Sequence, residues 1–172
     1  GEAPPGADRS RHLGSLPPAR RRPSAPSRSS APRLDADSTA LKIAFATPEL
    51  QSLVRATSLA EVSESLARTL RQEGADIRVF LPWTADLNTG PLAEVRLVGE
   101  VKVKDGTARP AVQIHTGLLG DLPIVLVDHP QLLRNRLPYA EEDGPYADNW
   151  RRYALYARAV LESLPLLGFE PE

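Results

Sequence analysis

The sequence predicts an α/β fold: a parallel sheet flanked by helices, with a β-hairpin insertion. Three observations carry this prediction. The short apolar runs "LKIAFA", "DIRVFLP" and "LPIVLVDHP" have the length and composition of strands buried on both faces. A helical stretch, "SLAEVSESLARTLRQEG", lies between the first two. The order is therefore strand, helix, strand with short joints, for which a right-handed parallel crossover is the expected geometry. The middle stretch, "AEVRLVGEVKVKDG", alternates apolar with charged or small residues, which is the period of a half-buried strand.

Taken in order, residues 1–40 form a tail rich in Pro, Ser, Arg and Ala, with almost no large apolar side chains. Such a segment cannot bury enough surface to offset its ordering entropy, so it is expected to be disordered. Its basic core, "ARRRPSAPSRSS", has the Arg and Ser content of an organelle transit peptide, but Glu2, Asp8, Asp35 and Asp37 interrupt it. A linker or tail on a cytoplasmic protein is the expectation, with a plastid address as the alternative. Residues 41–172 are expected to form one domain.

The first strand covers residues 41–46. In the helix that follows, Leu59, Val62, Leu66 and Leu70 recur at spacings of three and four and form one apolar face. Ser58 is placed to cap the helix, with Glu61 completing a capping box, and Gly74 to end it. The second strand covers residues 76–82 and stops at Pro82. Residues 93–106 predict a strand pair interrupted at Gly99, then a turn at Asp105 and Gly106, then the returning strand "PAVQIHTGLL". Residues 122–130 are a buried strand ending in polar "DHP". The closing segment, "DNWRRYALYARAVLESLPLLG", is helical to at least Leu164, capped by Asp148 or Asn149 and broken or kinked at Pro165.

Composition narrows the possible functions. The 172 residues suit one domain, and a net charge of -1 gives no field that would gather nucleic acid or an anionic membrane. Without Cys, thiolate chemistry and disulfides are excluded. His12, His115 and His129 lack ligand spacing, so no metal is expected. The apolar runs fall far short of the roughly 20 residues of a membrane-spanning helix. The chain lacks Met and begins at Gly1, which reads as a processed or cut end.

Three stretches offer chemistry. In "RATSLAEV", Arg55 supplies a cation, and Thr57 and Ser58 supply hydroxyls beside helix N-terminal amides. The competing reading is a plain capped helix start. Asp128 and His129 in "VDHP" sit where ligands bind at the carboxyl ends of parallel strands, or they simply end the strand. "LPYAEEDGPYADNWRRYALYARA" mixes Tyr139, Tyr146, Trp150, Tyr153 and Tyr156 with Asp148, Asn149 and two Arg. Aromatic faces beside polar tips suit sugars, and they equally suit a helix core.

Together these pieces resemble the N-terminal half of bacterial glycogen synthases and plant starch synthases, over residues 41–172. "LAEV" is similar to the family's Leu-Ala-Asp-Val, and "EGADIRVFLP" to its Gly-His-Asp-Val-Arg-Val-Leu-Leu-Pro. "IVLVDHPQLLRN" and "PYAEEDGPYADNWRRYALYARAVLE" match further blocks in the same order. The resemblance implies a Rossmann-like sheet forming the N-terminal half of a GT-B glycosyltransferase. It implies retaining transfer of glucose from ADP-glucose to the non-reducing end of an α-1,4-glucan, with no metal or other cofactor. Arg55 would contact phosphate, Thr57 and Ser58 would stand in the phosphate loop, and Glu61, Tyr139, Asp148 and Asn149 would line the acceptor side. Asp128 and His129 would be further binding residues.

Two departures stand out. The family has Lys-Thr-Gly-Gly where this chain has Arg55, Ala56, Thr57 and Ser58, so both glycines carry side chains that block close approach. The family's continuation into a His-Asp-Trp-type motif and a second nucleotide-binding domain lies beyond this sequence. This chain alone is therefore expected to be inactive, with a non-catalytic glucan- or protein-binding module as the alternative.

Overall fold

The computed structural model describes Gly1 and residues 40–172, and the expectation for the tail falls almost wholly outside the described residues. The elements are β1 (Lys42–Ala46), α1 (Leu59–Gln72), β2 (Asp76–Pro82), β3 (Ala93–Lys102), β4 (Ala111–Leu119) and β5 (Leu122–Asp128). A single π-helical turn (Pro130–Arg134), a short hairpin of β6 (Ala140–Glu141) and β7 (Gly144–Pro145), and α2 (Asn149–Leu166) follow.

The main sheet has the order β1-β2-β5-β4-β3. β1, β2 and β5 run parallel, while β4 is antiparallel to both β5 and β3. The expected hairpin insertion thus extends the parallel sheet as its antiparallel edge. Side chains alternate across a strand, and this alternation divides the core in two. Ile77, Val79, Leu81, Ile124 and Leu126 pack with Ala67 of α1. Phe80, Val125 and Val127 point the other way and pack with Leu155, Tyr156, Ala159 and Val160 of α2.

Four local readings need correction. Residues 93–102 are one strand, not a pair; Gly99 marks a bulge, where the register shifts between Leu97 and Gly99. The first joint is not short: residues 47–58 fold into a compact loop that buries Leu50, Leu53 and Val54. Helix α1 turns a different face inward, with Ala60, Ser63, Glu64 and Ala67 buried. Leu59, Val62 and Leu66 are 43%, 62% and 45% exposed. The reason is polar. Ser63 bonds the Thr47 hydroxyl, and Glu64 accepts from the backbone and side chain of Ser52, both at 2.8 Å. The small residues let the helix approach the loop closely, and the larger apolar ones are rotated outward. Ser58 stands at the cap position without a capping bond; the Thr57 hydroxyl accepts from Leu59 N–H instead, at 3.1 Å.

Helix α1 ends at Gly74 as expected, and α2, for which the sequence predicts a break or kink at Pro165, continues to Leu166 and ends through the same geometry at Gly168. At Gly74 (φ 97), Ala75 N–H returns to Leu70 O and Gly74 N–H to Arg71 O. Gly168 (φ 56) repeats this pattern, with Phe169 returning to Leu164 and Gly168 to Pro165. A left-handed residue is required at each, and glycine supplies it without a Cβ clash. Pro165 is accommodated in the last turn of α2, one residue before the helix stops.

Arg152, fully buried in the second turn of α2, fixes how the helix meets the preceding segment. Its guanidinium donates to Leu132 O (2.7 Å), Leu137 O (2.8 Å), Pro138 O (3.2 Å) and Asn149 Oδ1 (2.7 Å). It also lies over the Tyr146 ring at 4.5 Å. Burial lowers its pKa, but an arginine stays charged in such a setting. Replacing it takes the guanidinium donor from Leu132 O and Leu137 O, while Pro138 O keeps the Tyr153 hydroxyl. Arg152→Leu is expected to lose about 3–5 kcal/mol of stability in urea unfolding, whereas Arg151→Ala, on the exposed side, leaves the midpoint nearly unmoved.

Candidate functional site

The carboxyl ends of the parallel strands deliver the loop 47–58, the 128–139 segment and the first turn of α2 to one edge of the sheet. Open α/β sheets bind their ligands at this edge. At its centre is a residue the sequence reading passed over. Glu49 is 0% exposed. Its carboxylate accepts from Ala56 N–H (3.0 Å), Thr57 N–H (2.6 Å), the Thr57 hydroxyl (2.9 Å) and the Tyr139 hydroxyl (2.5 Å). Burial alone would raise its pKa. The bonds from Tyr139, Thr57 and Ala56 outweigh it, and the carboxyl titrates below the ordinary range.

The amides that an anion would seek at this corner are therefore already engaged. Phosphate loops leave such N–H groups to the ligand. Here an internal carboxylate holds those of Ala56 and Thr57. A signal for this was present in the sequence: Glu49 is the only acid between β1 and α1, placed to reach the amides that open the helix.

Arg55, Ser58 and Glu61 have exposed side chains on the outside of the loop and first helical turn. Thr57 is exposed too, but its N–H and hydroxyl both donate to Glu49. Tyr139 connects the loop to the far segment, with burial and Glu49 both raising its pKa. Asn149 donates from Nδ2 to Tyr139 O at 2.7 Å, and Tyr153 donates its hydroxyl to Pro138 O at 2.7 Å. Asp148 pairs with Arg136 at 2.6 Å and makes no cap bond to α2. Thr57, Tyr139 and Asn149 thus belong to one continuous network through Glu49.

Asp128 and His129 belong to another. Asp128, 2% exposed at the end of β5, takes two bonds from the Arg134 guanidinium, which the π-helical turn brings back over the strand end. That guanidinium stacks on Trp83 at 3.9 Å. His115 Nε2 lies 3.6 Å from Asp128 and has no hydrogen-bond partner among the described residues. His129 turns inward and accepts from Leu132 N–H through Nδ1 at 3.3 Å. Burial pushes both imidazoles below the usual histidine value. Asp128 and His129 are thus committed to internal bonds that shape the strand exit.

This arrangement can be compared with known proteins. The family model for the starch synthase catalytic domain matches residues 42–172. The chain belongs to that family. Glycogen synthase from Geotalea uraniireducens is 31% identical over 134 residues, covering 77% of this chain and 27% of the relative. Glycogen synthase from Photobacterium profundum is 30% identical over 132 residues, covering 77% of this chain and 26% of the relative. The chain thus spans about a quarter of the length of these relatives. A solved structure with the same fold is the catalytic domain of starch synthase IV from Arabidopsis thaliana bound to ADP and acarbose. It aligns with a TM-score of 0.67 at 22% identity, over 78% of this chain and 27% of that one. Among the described residues, no helix is long and apolar enough to cross a membrane.

Two outcomes follow from the site. In Glu49→Ala, the Ala56 and Thr57 amides lose their acceptor, and hydrogen exchange at both is expected to quicken by about tenfold or more. Stability also depends on acid in two stages. Burial makes His115 and His129 take protons less readily in the folded chain than in the unfolded one, where they titrate near 6.5, so their contribution is complete above that pH and is lost as pH falls below it. Glu49 and Glu64, held below 4.5, add a second loss as pH drops under that value. Urea midpoints between pH 7.5 and 3.5 should show both stages, and Glu49→Gln should flatten the second.

Proposed function

We propose that this chain is the acceptor-side, N-terminal part of a retaining glycosyltransferase. The reaction moves glucose from ADP-glucose to the non-reducing end of an α-1,4-glucan. The observation that carries the reading is the family match across residues 42–172, together with a ligand edge held in one conformation by Glu49. The Arabidopsis relative bound to ADP and acarbose supports both substrate classes.

In this reading Arg55, exposed beside the start of α1, meets the diphosphate of the donor. Its fork of donors suits phosphate, and Thr57 and Ser58 stand where close backbone approach would require glycine. Ser58 and Glu61 offer hydroxyl and carboxylate partners to sugar hydroxyls. Thr57, Tyr139 and Asn149 act as positioning residues, because their polar atoms hold the loop. Asp148 steadies the entry to α2 through Arg136. Asp128 and His129 keep the strand end in place. The chemistry at the anomeric carbon belongs to the whole enzyme, and no step here calls for a metal.

A second reading is favoured by one observation. Glu49 occupies the amides that phosphate would otherwise use, which suits a module that binds glucan without turning over a sugar nucleotide. Two measurements on the full-length protein separate the readings. The transferase reading expects incorporation of glucose from ADP-glucose into glycogen, with Arg55→Ala lowering kcat/KM by about 100-fold. Glucan binding with no heat of ADP-glucose binding in calorimetry would instead establish the binding module. Full activity in Arg55→Ala would remove the role given to that residue.

A further inference from the structure

The carboxylate at the end of β5 stands between two basic side chains, and only one of them is bonded to it. Asp128 accepts from Arg134 through both oxygens, Nε to Oδ1 at 2.8 Å and Nη2 to Oδ2. His115, on the neighbouring strand β4, brings Nε2 to 3.6 Å from the same Oδ2. That is too long for a good hydrogen bond, and the buried Nε2 has no other partner among the described residues. A buried ring nitrogen left this way is unfavourable, so the gap calls for a physical reason. Trp83 touches both basic groups. The Arg134 guanidinium lies over its ring at 3.9 Å, and the His115 ring meets it edge-on at 4.9 Å.

Two charged groups act on His115: Asp128 from β5 and Arg134 from the π-helical turn. Trp83, from the segment after β2, and Leu97, its partner on β3, carry no charge. Burial lowers the pKa of the imidazole, Asp128 raises it, and Arg134 lowers it again. Once a proton arrives, Nε2 is a donor aimed at Oδ2, and the gap can close as a charge-assisted bond. Two cations then compete for one oxygen. Exposure decides between them, because the Arg134 side chain is 38% exposed and that of His115 only 13%. The guanidinium can turn out into water, whereas an imidazolium this buried cannot be left without its counter-charge.

We infer that His115, Asp128 and Arg134 form a proton-operated latch on the ligand edge. Without the proton, Arg134 closes the latch by holding Asp128 and covering Trp83. With the proton on His115, the imidazolium takes Asp128 and Arg134 is released from both. Arg134 is the last residue of the π-helical turn, and the chain runs directly from it to Tyr139, the residue that completes the bonds around Glu49. Release therefore loosens the segment that brings Tyr139 to the loop. Mild acid would slacken the corner before Glu49, held below 4.5, takes a proton of its own. His115 is a positioning residue in this scheme, acting through Asp128 and Arg134 and touching no ligand. The latch goes beyond the transferase and binding-module readings and holds under either.

The test uses the 172-residue chain carrying Trp150→Phe, an exposed position, which leaves Trp83 as the only tryptophan. Trp83 fluorescence and the NMR signals of the His115 ring and the Arg134 Nε–H are followed from about pH 8 to about pH 5. Trp83 emission and the His115 ring are expected to change together in one step centred below 6.5. The Arg134 Nε–H signal, sharp while bonded to Asp128, is expected to broaden and shift in the same step. In His115→Gln the step should vanish and the Arg134 signal should stay sharp throughout. His129 accepts from Leu132 N–H at the start of the same turn, so His129→Asn, which keeps an acceptor there, is the control and should retain the step. Protonation of His115 with no change at Arg134 would overturn the latch. So would a His115 that stays unprotonated until the chain unfolds. A step that persists in His115→Gln, or is lost in His129→Asn, would move the response to His129 and overturn the latch as well. The ring and guanidinium signals are read in the chain that keeps both histidines, so the outcome does not hang on how either histidine variant folds.

Discussion

The Glu49 carboxylate is the constraint on which the rest of the ligand edge depends. A buried carboxylate without partners is strongly unfavourable, and this one is satisfied only if the backbone at Ala56 and Thr57 curls back toward it. That curl gives the loop its shape without glycine. It also places Leu50, Leu53 and Val54 under the loop as part of the core, so the corner is held both by packing and by hydrogen bonds. The inward rotation of α1 follows from the same logic. Once the loop is compact, its own polar groups need partners, and Ser63 and Glu64 provide them at the expense of an apolar face left half in water.

The second half of the edge is built by a cation in the way the first is built by an anion. Arg152 gathers the carbonyls of Leu132, Leu137 and Pro138, and so fixes the segment that carries Tyr139. Tyr139 then completes the ring of donors around Glu49. Two buried charges of opposite sign, each satisfied by neutral groups, are thus joined by the segment that carries Tyr139. The Asp128–Arg134 pair does similar work at the end of β5, where a π-helical turn brings the guanidinium back over the strand.

Much of the architecture was legible because strand composition and alternation are strong signals. β2 and β5 are apolar runs, β4 alternates, and Gly74 ends α1 through backbone geometry that other residues adopt only with strain. The site was less legible, because its decisive contacts are long-range. The one local sign of Glu49 is that it is the only acid between β1 and α1, and its partner Tyr139 is 90 residues away. The face of α1 was misread for a related reason. Periodicity finds Leu59, Val62 and Leu66, but the choice between that stripe and the neighbouring Ala60, Ser63, Glu64 and Ala67 is made by the loop the helix meets. Thr57, Tyr139 and Asn149 were picked out by residue type and by resemblance, and their bonds to Glu49 and to each other arise from residues far apart in the chain.

The separation between Glu49 and Tyr139 also bears on how the protein folds. Strand β1, helix α1 and strand β2 can pair early, since they are close in sequence. The loop between β1 and α1 cannot be clamped until residues 137–152 have arrived and Arg152 has drawn them into place. Closing a contact over that distance costs chain entropy that nearer contacts do not. The ligand edge therefore cannot be completed until residues 137–152 have been made. Until then the Glu49 carboxylate is open to water, and an intermediate stalled at this stage would have its sheet without its binding corner.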